Sequence, residues 1–329
     1  MKNIVFGIFA LLTCFSLASA DVYDSFFNWT IEYGKVYNSV NERASKFNAF
    51  KSNYALVNHL NRQSKGLCTF ELNKFADLTS EEFAAKYLSL IPVGKPSYYT
   101  LPYKKGLKYP ESKNWVDDGA VSKVKNQANC GSCWAFSATG AMEGAWFVAH
   151  KQLPLISEQQ LVDCDKECMD YPGTTQKVCD EGCNGGLMPN AFNYAIKNGM
   201  ETEDDYPYKG VDQTCKADKS KIKYHFSKWI MIKDNEDAMV EALNKYGPLS
   251  VGVDATYWSF YSKGIYDSSC SSSRMNHGVL LVGYGTEGNT KYWIIKNSWD
   301  TNWGEKGFIR LIRGKNKCGV NNFVCTILA

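Results

Sequence analysis

Residues Asn129-Cys130-Gly131-Ser132-Cys133-Trp134-Ala135-Phe136 put a cysteine between a tight Gly-Ser turn and an aromatic-rich run that reads as a buried helix. A thiol in the first turn of a helix lies at the positive end of the helix macrodipole, which favours the thiolate. The thiolate, not the thiol, is the nucleophile, so Cys133 is a candidate for attack on a carbonyl. The plainer reading of the octapeptide alone is two half-cystines of an exported protein. A cysteine nucleophile also needs a base, and the base an orienting partner. Of the four histidines, His59 sits in an N-terminal region unlike the rest, His150 at a helix end beside Lys151, and His225 in a polar strand. His277 alone opens an apolar strand, Gly278 to Gly285, and the next strand ends in the amide Asn297 beside Trp299. An amide oxygen accepting from the imidazole would fix its tautomer and leave the other nitrogen for the thiol. Taken singly, His277 reads as a structural histidine and Asn297 as a turn residue. It is their conjunction with Cys133 that points to nucleophilic catalysis.

The rest of the chain has to hold these residues together and deliver them to the right compartment. With 329 residues, 44% apolar and 14% aromatic, there is material for a large core and about two domains. The net charge of +3 leaves no basic footprint for nucleic acid. Lys2, the apolar stretch Ile4 to Leu17, and Ala18-Ser19-Ala20 before Asp21 form a secretory signal over residues 1–20. Thr13, Cys14 and Ser16 interrupt that stretch, which is shorter than the roughly 20 apolar residues a bilayer span needs. No later segment is long enough, so no membrane association is expected. Without Cys14, eleven of the twelve cysteines remain where disulfides persist, and an odd number leaves at least one thiol over.

From Asp21 to about residue 108 the composition differs from that of the remaining chain. Glu42, Lys46, Phe50, Asn53, Val57 and Asn61, spaced three or four apart, form one stripe of a helix, within which Glu42 and Lys46 can pair. Phe70 to Asp77 alternates like a short strand, and Thr79 with Glu82 makes a capping box. Asn28-Trp29-Thr30 is a glycosylation sequon, with Asn28 the acceptor. Between Leu90 and Pro110, prolines and glycines mark a linker of the kind proteases cut. Beyond it, helices are expected at Ser132 to Ala149, Ser157 to Val162 and Pro189 to Asn198. After Lys221 come strands separated by glycine turns, as in a small antiparallel barrel. A helical half succeeded by a β half implies an α+β fold with a cleft at the junction.

Lys125-Asn126-Gln127, Cys130-Gly131-Ser132-Cys133-Trp134, Asn276-His277-Gly278 and Asn297-Ser298-Trp299 occur in the same order as in the papain family, and the chain from Asp21 onwards resembles a cathepsin L-like cysteine protease precursor. Cys133 and His277 are 144 residues apart, within the ~130–150 usual for that family. The resemblance implies a two-lobed fold, helical over about residues 121–220 and β-rich over about 221–329, forming a peptidase domain over 109–329. It implies a cysteine endopeptidase in which Cys133 attacks, His277 carries the proton, Asn297 orients the ring, Trp299 covers that contact, and Gln127 donates to the oxyanion. Papain is itself the standard instance of a cysteine whose pKa a histidine partner depresses, so for Cys133 only the direction is carried over.

Residues 21–108 then resemble an inhibitory propeptide, with Lys46, Val57 and Glu71 as departures from its motifs. Protonation of carboxylates such as Asp77 would loosen it, and a cut near Gly106 to Tyr109 would release it. Implied disulfides are Cys130–Cys183, Cys164–Cys215 and Cys270–Cys318. Cys168 and Cys179, inside a segment longer than usual for the family, are expected to pair with each other. A zinc site of Cys164, Cys168, Cys179 and Cys183 is the competing reading, and the oxidising compartment disfavours it. Cys325 reads as an inert core thiol. Gly185, Gly186, Leu187, Met188, Gly252, Met275, Gly278, Trp299 and Phe323 are expected to bind substrate. The absence of an acid among them favours a bulky apolar side chain at the second position before the cut. No cofactor or metal is implied. Protein and peptide substrates, the chain's own propeptide and cystatin-like inhibitors are the expected partners of a monomer in a lysosome-like or extracellular setting. The alternative is a catalytically silent binding protein on the same fold. Asp300 stands where the family usually has glycine.

Overall fold

The computed structural model describes residues 21–91, 106–170 and 177–329. The signal segment, most of the linker and residues 171–176 of the insertion lie outside the described residues. The N-terminal region comprises helix α1 (residues 21–32), α2 (Val40–Gln63), strand β1 (Cys68–Phe70) and α3 (Ser80–Tyr87). The Ser39 hydroxyl caps α2 by accepting from the Glu42 N–H, and Thr79 and Glu82 form the reciprocal capping box of α3. Phe26 and Trp29 of α1 pack on Phe50 with ring centroids 5.2 and 5.4 Å away.

The polar members of the α2 stripe hold the loop after β1. Asn53 Nδ2 donates to the Ala76 and Leu78 carbonyls at 2.9 and 2.8 Å, and Asn61 brackets the Phe70 N–H and C=O. Lys46 does not pair with Glu42; its Nζ donates to both carboxylate oxygens of Glu82 at 2.7 and 2.8 Å. The alternating segment Phe70 to Asp77 is a strand only as far as Phe70. Asn73 turns the chain by accepting from the Phe75 N–H and, through its backbone, the Ala76 N–H.

The body adds β2 (Lys113–Asn114), α4 (Cys133–His150), α5 (Glu158–Cys164), the hairpin β3 (Cys168–Asp170) and β4 (Lys177–Cys179), and α6 (Met188–Asn198). Then come β5 (Lys228–Met231), α7 (Glu236–Tyr246), β6 (Leu249–Val253), β7 (Tyr261–Tyr266), β8 (His277–Glu287), β9 (Thr290–Lys296), β10 (Phe308–Ile312) and β11 (Val324–Leu328). Helix α4 is apolar on nearly every face and buried along most of its length, as a helix through the centre of a domain must be. One core gathers α4 and α6 with Leu187, Met275, Phe323 and Cys325; the other fills the sheet side and includes Phe50, Phe75 and Phe83 from the N-terminal region. The cleft lies where the two meet.

The strand order is β1-β7-β10-β9-β8-β6-β11-β5, with β2 paired to β8. This α+β architecture has an open sheet in place of the small barrel expected from the strand spacing. Among the described residues no pairing joins the β1 and β5 ends, and β10 runs parallel to β7. One end strand, β1, belongs to the N-terminal region. Disulfides join Cys130–Cys183, Cys164–Cys215, Cys168–Cys179 and Cys270–Cys318. All four thiols of the zinc alternative are thereby consumed, and Cys168–Cys179 closes the β3–β4 hairpin.

The Lys46–Glu82 pair makes the packing of α3 on α2 depend on pH. Its bond to Lys46 holds the Glu82 carboxyl below the usual carboxylate range against a lesser effect of burial. A depressed acid stabilises the fold above its unfolded pKa, and that contribution is lost as pH falls through the folded value. Glu82→Gln should therefore lower the thermal stability of the full chain near pH 7, and the gap to wild type should close toward about pH 3, below the ordinary carboxylate range. A gap that stays constant across that range would contradict this assignment.

Candidate active site

Cys133 is the first residue of α4 and is fully buried. The preceding Ser132 does not cap the helix; its hydroxyl is engaged with the Tyr208 hydroxyl at 2.7 Å. The N-terminal amides of α4 therefore keep their positive field directed at the thiol. The Gly278 N–H donates to Sγ at 3.4 Å, and the Ser89 Oγ lies 3.5 Å from it.

His277 opens β8, fully buried, with Nε2 2.8 Å from Asn297 Oδ1. The Trp299 ring stacks on the imidazole, centroids 4.7 Å apart and planes 28° from parallel. Nδ1 makes no hydrogen bond of ordinary geometry, so we read its influence on Cys133 as chiefly that of charge. Burial pushes the Cys133 thiol up, but the His277 charge and contact, with Ser89 and the Gly278 N–H, outweigh it and bring the thiol down to about 7. Cys68 and Cys325, the other free thiols among the described residues, are buried; burial raises both, Cys68 to about 11.

Gln127 is brought to the same place by the segment after β9. Its Oε1 accepts from Ser298 Oγ at 2.7 Å and from Trp299 Nε1 at 3.2 Å, and its backbone N–H donates to the Ser298 carbonyl. With the oxygen fixed, the amide end is fixed too. Nε2 donates one hydrogen to the Cys130 carbonyl at 3.0 Å and has a second to offer.

Ser89, Leu90 and Ile91 occupy the cleft. Leu90 forms a parallel bridge to Gly186, its N–H donates to the Asn276 carbonyl at 3.1 Å, and Ile91 N–H reaches the Gly186 carbonyl. The Leu90 side chain is buried beside Gly252, Met275 and Phe323; a Cβ on Gly252 would stand 3.0 Å from a Leu90 methyl carbon. A Cβ on Gly185 would meet the Ser89 carbonyl oxygen. Leu187 and Met188 are buried in the same core, the Met188 sulfur close to Gly278. Under this wall, Asp180 Oδ1 accepts from the Leu187 N–H at 2.8 Å and from Asn190 Nδ2 at 3.0 Å. Burial raises the carboxyl of Asp180 and that of its neighbour Asp165 above the ordinary range, and the Asp165 charge adds to the effect on Asp180.

All the sequence-singled residues of the cleft thus converge, while Asn28 lies far along the chain, exposed on α1. Sequence reasoning missed Ser89, Leu90 and Ile91 because they border a proline-rich stretch that reads as a linker; the apolar pair Leu90-Ile91 ahead of the prolines was the available signal. Tyr208 and Asp180 carried no local signal, and Ser298 was read only as part of the Asn297-Ser298-Trp299 motif.

Residues 109–328 match the family described as papain family cysteine protease. The chain belongs to the papain family of cysteine proteases. Residues 26–83 of the protease match the cathepsin propeptide inhibitor domain, so the N-terminal region is an inhibitory propeptide and the chain a zymogen. The protease is 42% identical over 347 aligned residues to cysteine proteinase 1 of Dictyostelium discoideum, covering 99% of each chain. It is 37% identical over 319 to digestive cysteine proteinase 3 of Homarus americanus, covering 94% of the protease and 96% of that relative. Among solved structures, digestive procathepsin L 3 of Tenebrio molitor larval midgut superposes with a TM-score of 0.79 at 33% identity, covering 94% of the protease and 99% of that chain. A recombinant stem bromelain precursor gives 0.80 at 33%, with the same coverage.

The electrostatics of Cys133 can be read directly. Thiolate absorbance in the ultraviolet should rise with a midpoint about 7 in the intact protease and be missing from Cys133→Ser. A midpoint near the ordinary thiol value of about 8.5 would show that His277 does not hold the charge.

Proposed function

We propose that the protease hydrolyses peptide bonds through Cys133, His277, Asn297 and Gln127. The observation that carries this is the His277 ring, held at one nitrogen by Asn297 and lowering the Cys133 thiol by its charge, with Gln127 fixed by Ser298. The thiolate forms a bond to the scissile carbonyl carbon, and the negative charge moves to the carbonyl oxygen. The Cys133 backbone N–H and the spare Gln127 Nε2–H are the donors for that oxyanion. As the C–N bond breaks, imidazolium gives its Nδ1 proton to the leaving amine and a thioester remains. Water then loses a proton to Nδ1, attacks the thioester, and the acid departs as the thiolate is restored. Asn297 keeps Nε2 occupied, so the proton moves only at Nδ1. Trp299 shields that contact from water.

Leu90 in the pocket of Gly252, Met275 and Phe323 supports a preference for a bulky apolar side chain at the second residue before the cut. Entry into the secretory pathway, a monomeric state and susceptibility to cystatin-like inhibitors belong to the same reading. The glycosylation site Asn28 is on an exposed helical surface, which supports its accessibility. A silent binding protein would have no need for the full set of four residues, and Asn297 with its buried partners favours the active form.

Maturation results from acid weakening the propeptide, in which Asp77 is paired with Lys35 at 2.9 Å and Glu82 with Lys46. The cut is placed between Gly106 and Tyr109. Intact mass monitored over time at about pH 4.5, where carboxylates begin to protonate, should show wild type shedding the propeptide and Cys133→Ala retaining it. Shedding by both would mean that another protease acts; shedding by neither would count against self-activation. In the matured enzyme, Gln127→Ala should lower kcat by ~100- to 1000-fold with little change in KM, the usual loss for one oxyanion donor. Kinetics on a small amide substrate reads this, and a change confined to KM would remove Gln127 from the oxyanion site.

A further inference from the structure

Asp300 has φ +73, a left-handed conformation that, glycine aside, Asn and Asp adopt more readily than other residues. Its backbone N–H donates to the Lys125 carbonyl, and its carboxylate accepts only from neutral groups: the Thr301 N–H and hydroxyl and, at 3.4 Å, Asn126 Nδ2. Among the described residues no lysine or arginine is in ion-pair contact with it. Next to it, the Trp299 carbonyl accepts from Lys74 Nζ at 2.7 Å. Lys74 belongs to the propeptide, is half-buried, and among the described residues has no carboxylate within ion-pair distance; Asp300 supplies the main negative field offsetting its burial and the nearby Lys35 charge.

The position of this pair relative to Cys133 is set by the path of the propeptide. From Lys74 the chain crosses Trp299 with Phe75, Phe83 and Tyr87, reaches Cys133 at Ser89, and enters the apolar pocket at Leu90. Leu90 marks the side for residues before the cut bond, so Trp299 and Asp300 lie on the side for residues after it. This rests on the proposed catalytic reading of Cys133 and its pocket. When the propeptide departs, the Trp299 carbonyl loses the ammonium it had bound and the Asp300 carboxylate loses a nearby cation.

We propose that the Trp299 carbonyl and Asp300 form a cation subsite that selects lysine or arginine within the first few residues after the cut bond, with Lys74 of the propeptide as its resident stand-in. A partly exposed carboxylate with a charge-assisted bond to the carbonyl gives a preference on the order of 3- to 10-fold. Because the site is open to solvent, the preference weakens as salt rises.

The test uses matured protease whose active fraction is counted by irreversible alkylation of Cys133. Peptides identical up to the cut carry Lys, Ala or Glu at each of the three positions after it. Wild type should favour Lys over Ala by about 3- to 10-fold in kcat/KM at one position, place Glu below Ala there, and lose the difference in high salt. Asp300→Asn keeps the size and tolerates the backbone conformation, and its Lys-to-Ala ratio should fall to about 1. A fully titrated Asp300→Asn enzyme with the wild-type ratio, or wild type without a lysine preference, overturns this inference alone. A folded chain in which Cys133 cannot be titrated and no peptide is cut overturns the catalytic reading as well.

Discussion

A sulfur anion buried without water survives only if a cation or a set of donors replaces the lost solvation. In this protease the replacement comes from two directions: the open N-terminus of α4 behind Cys133, and the His277 ring in front of it. These belong to different halves of the chain, so most of the remaining structure serves to keep them in register. Strand β8 delivers His277, β9 delivers Asn297 one strand over, and Trp299 closes the ring against solvent. The same short stretch fixes Gln127 through Ser298 and Trp299. A displacement of the segment after β9 would disturb the contacts of His277, Trp299 and Gln127 together.

The propeptide attaches to this segment rather than to a remote surface. Phe75, Phe83 and Tyr87 pack edge-on against Trp299, with centroids 5.9, 5.2 and 6.2 Å away, and Lys74 reaches its carbonyl. The two regions answer acid in opposite senses. Glu82 stabilises the propeptide at neutral pH and ceases to do so when protonated. Asp165 and Asp180 are raised by burial, and the Asp165 charge raises Asp180 further. Stability from raised acids is fully present in acid and is lost as pH rises through the folded pKa. The cleft wall over Leu187 is thus firmest under the conditions that loosen its cover.

Much of the helical framework was legible in the sequence because it is governed by local rules. The α4 helix, the capping box at Thr79 and the 3.6-residue stripe of α2 depend on neighbours within one or two turns. That Cys133, His277 and Asn297 would be brought together was legible because few residue types can form such a constellation. What could not be read was set by partners distant in sequence. Lys46 had Glu42 within reach on its own helix, yet bonds Glu82, thirty-six residues away. The strand predicted over Phe70 to Asp77 gives way after Phe70 because Asn73 bonds across to the Ser259 carbonyl and Glu71 to that of Phe260. The addition of β1, from the propeptide, to the edge of β7 joins segments nearly two hundred residues apart, which spacing along the chain does not encode.

The direction of the peptide already lying in the cleft has its own consequence. Ser89 sits at the sulfur and Leu90 beyond it in the apolar pocket, parallel to the Gly186 backbone. On the proposed substrate preference, a peptide with its second residue before the cut in that pocket runs the other way, antiparallel to Gly186. The propeptide segment Ser89 to Ile91 therefore runs opposite in direction to such a substrate. On that reading, chain polarity and not an unsuitable side chain distinguishes the propeptide from a substrate. A leucine that would make a good substrate residue can then serve as an anchor, and the fit of the inhibitor can improve without the inhibitor becoming food.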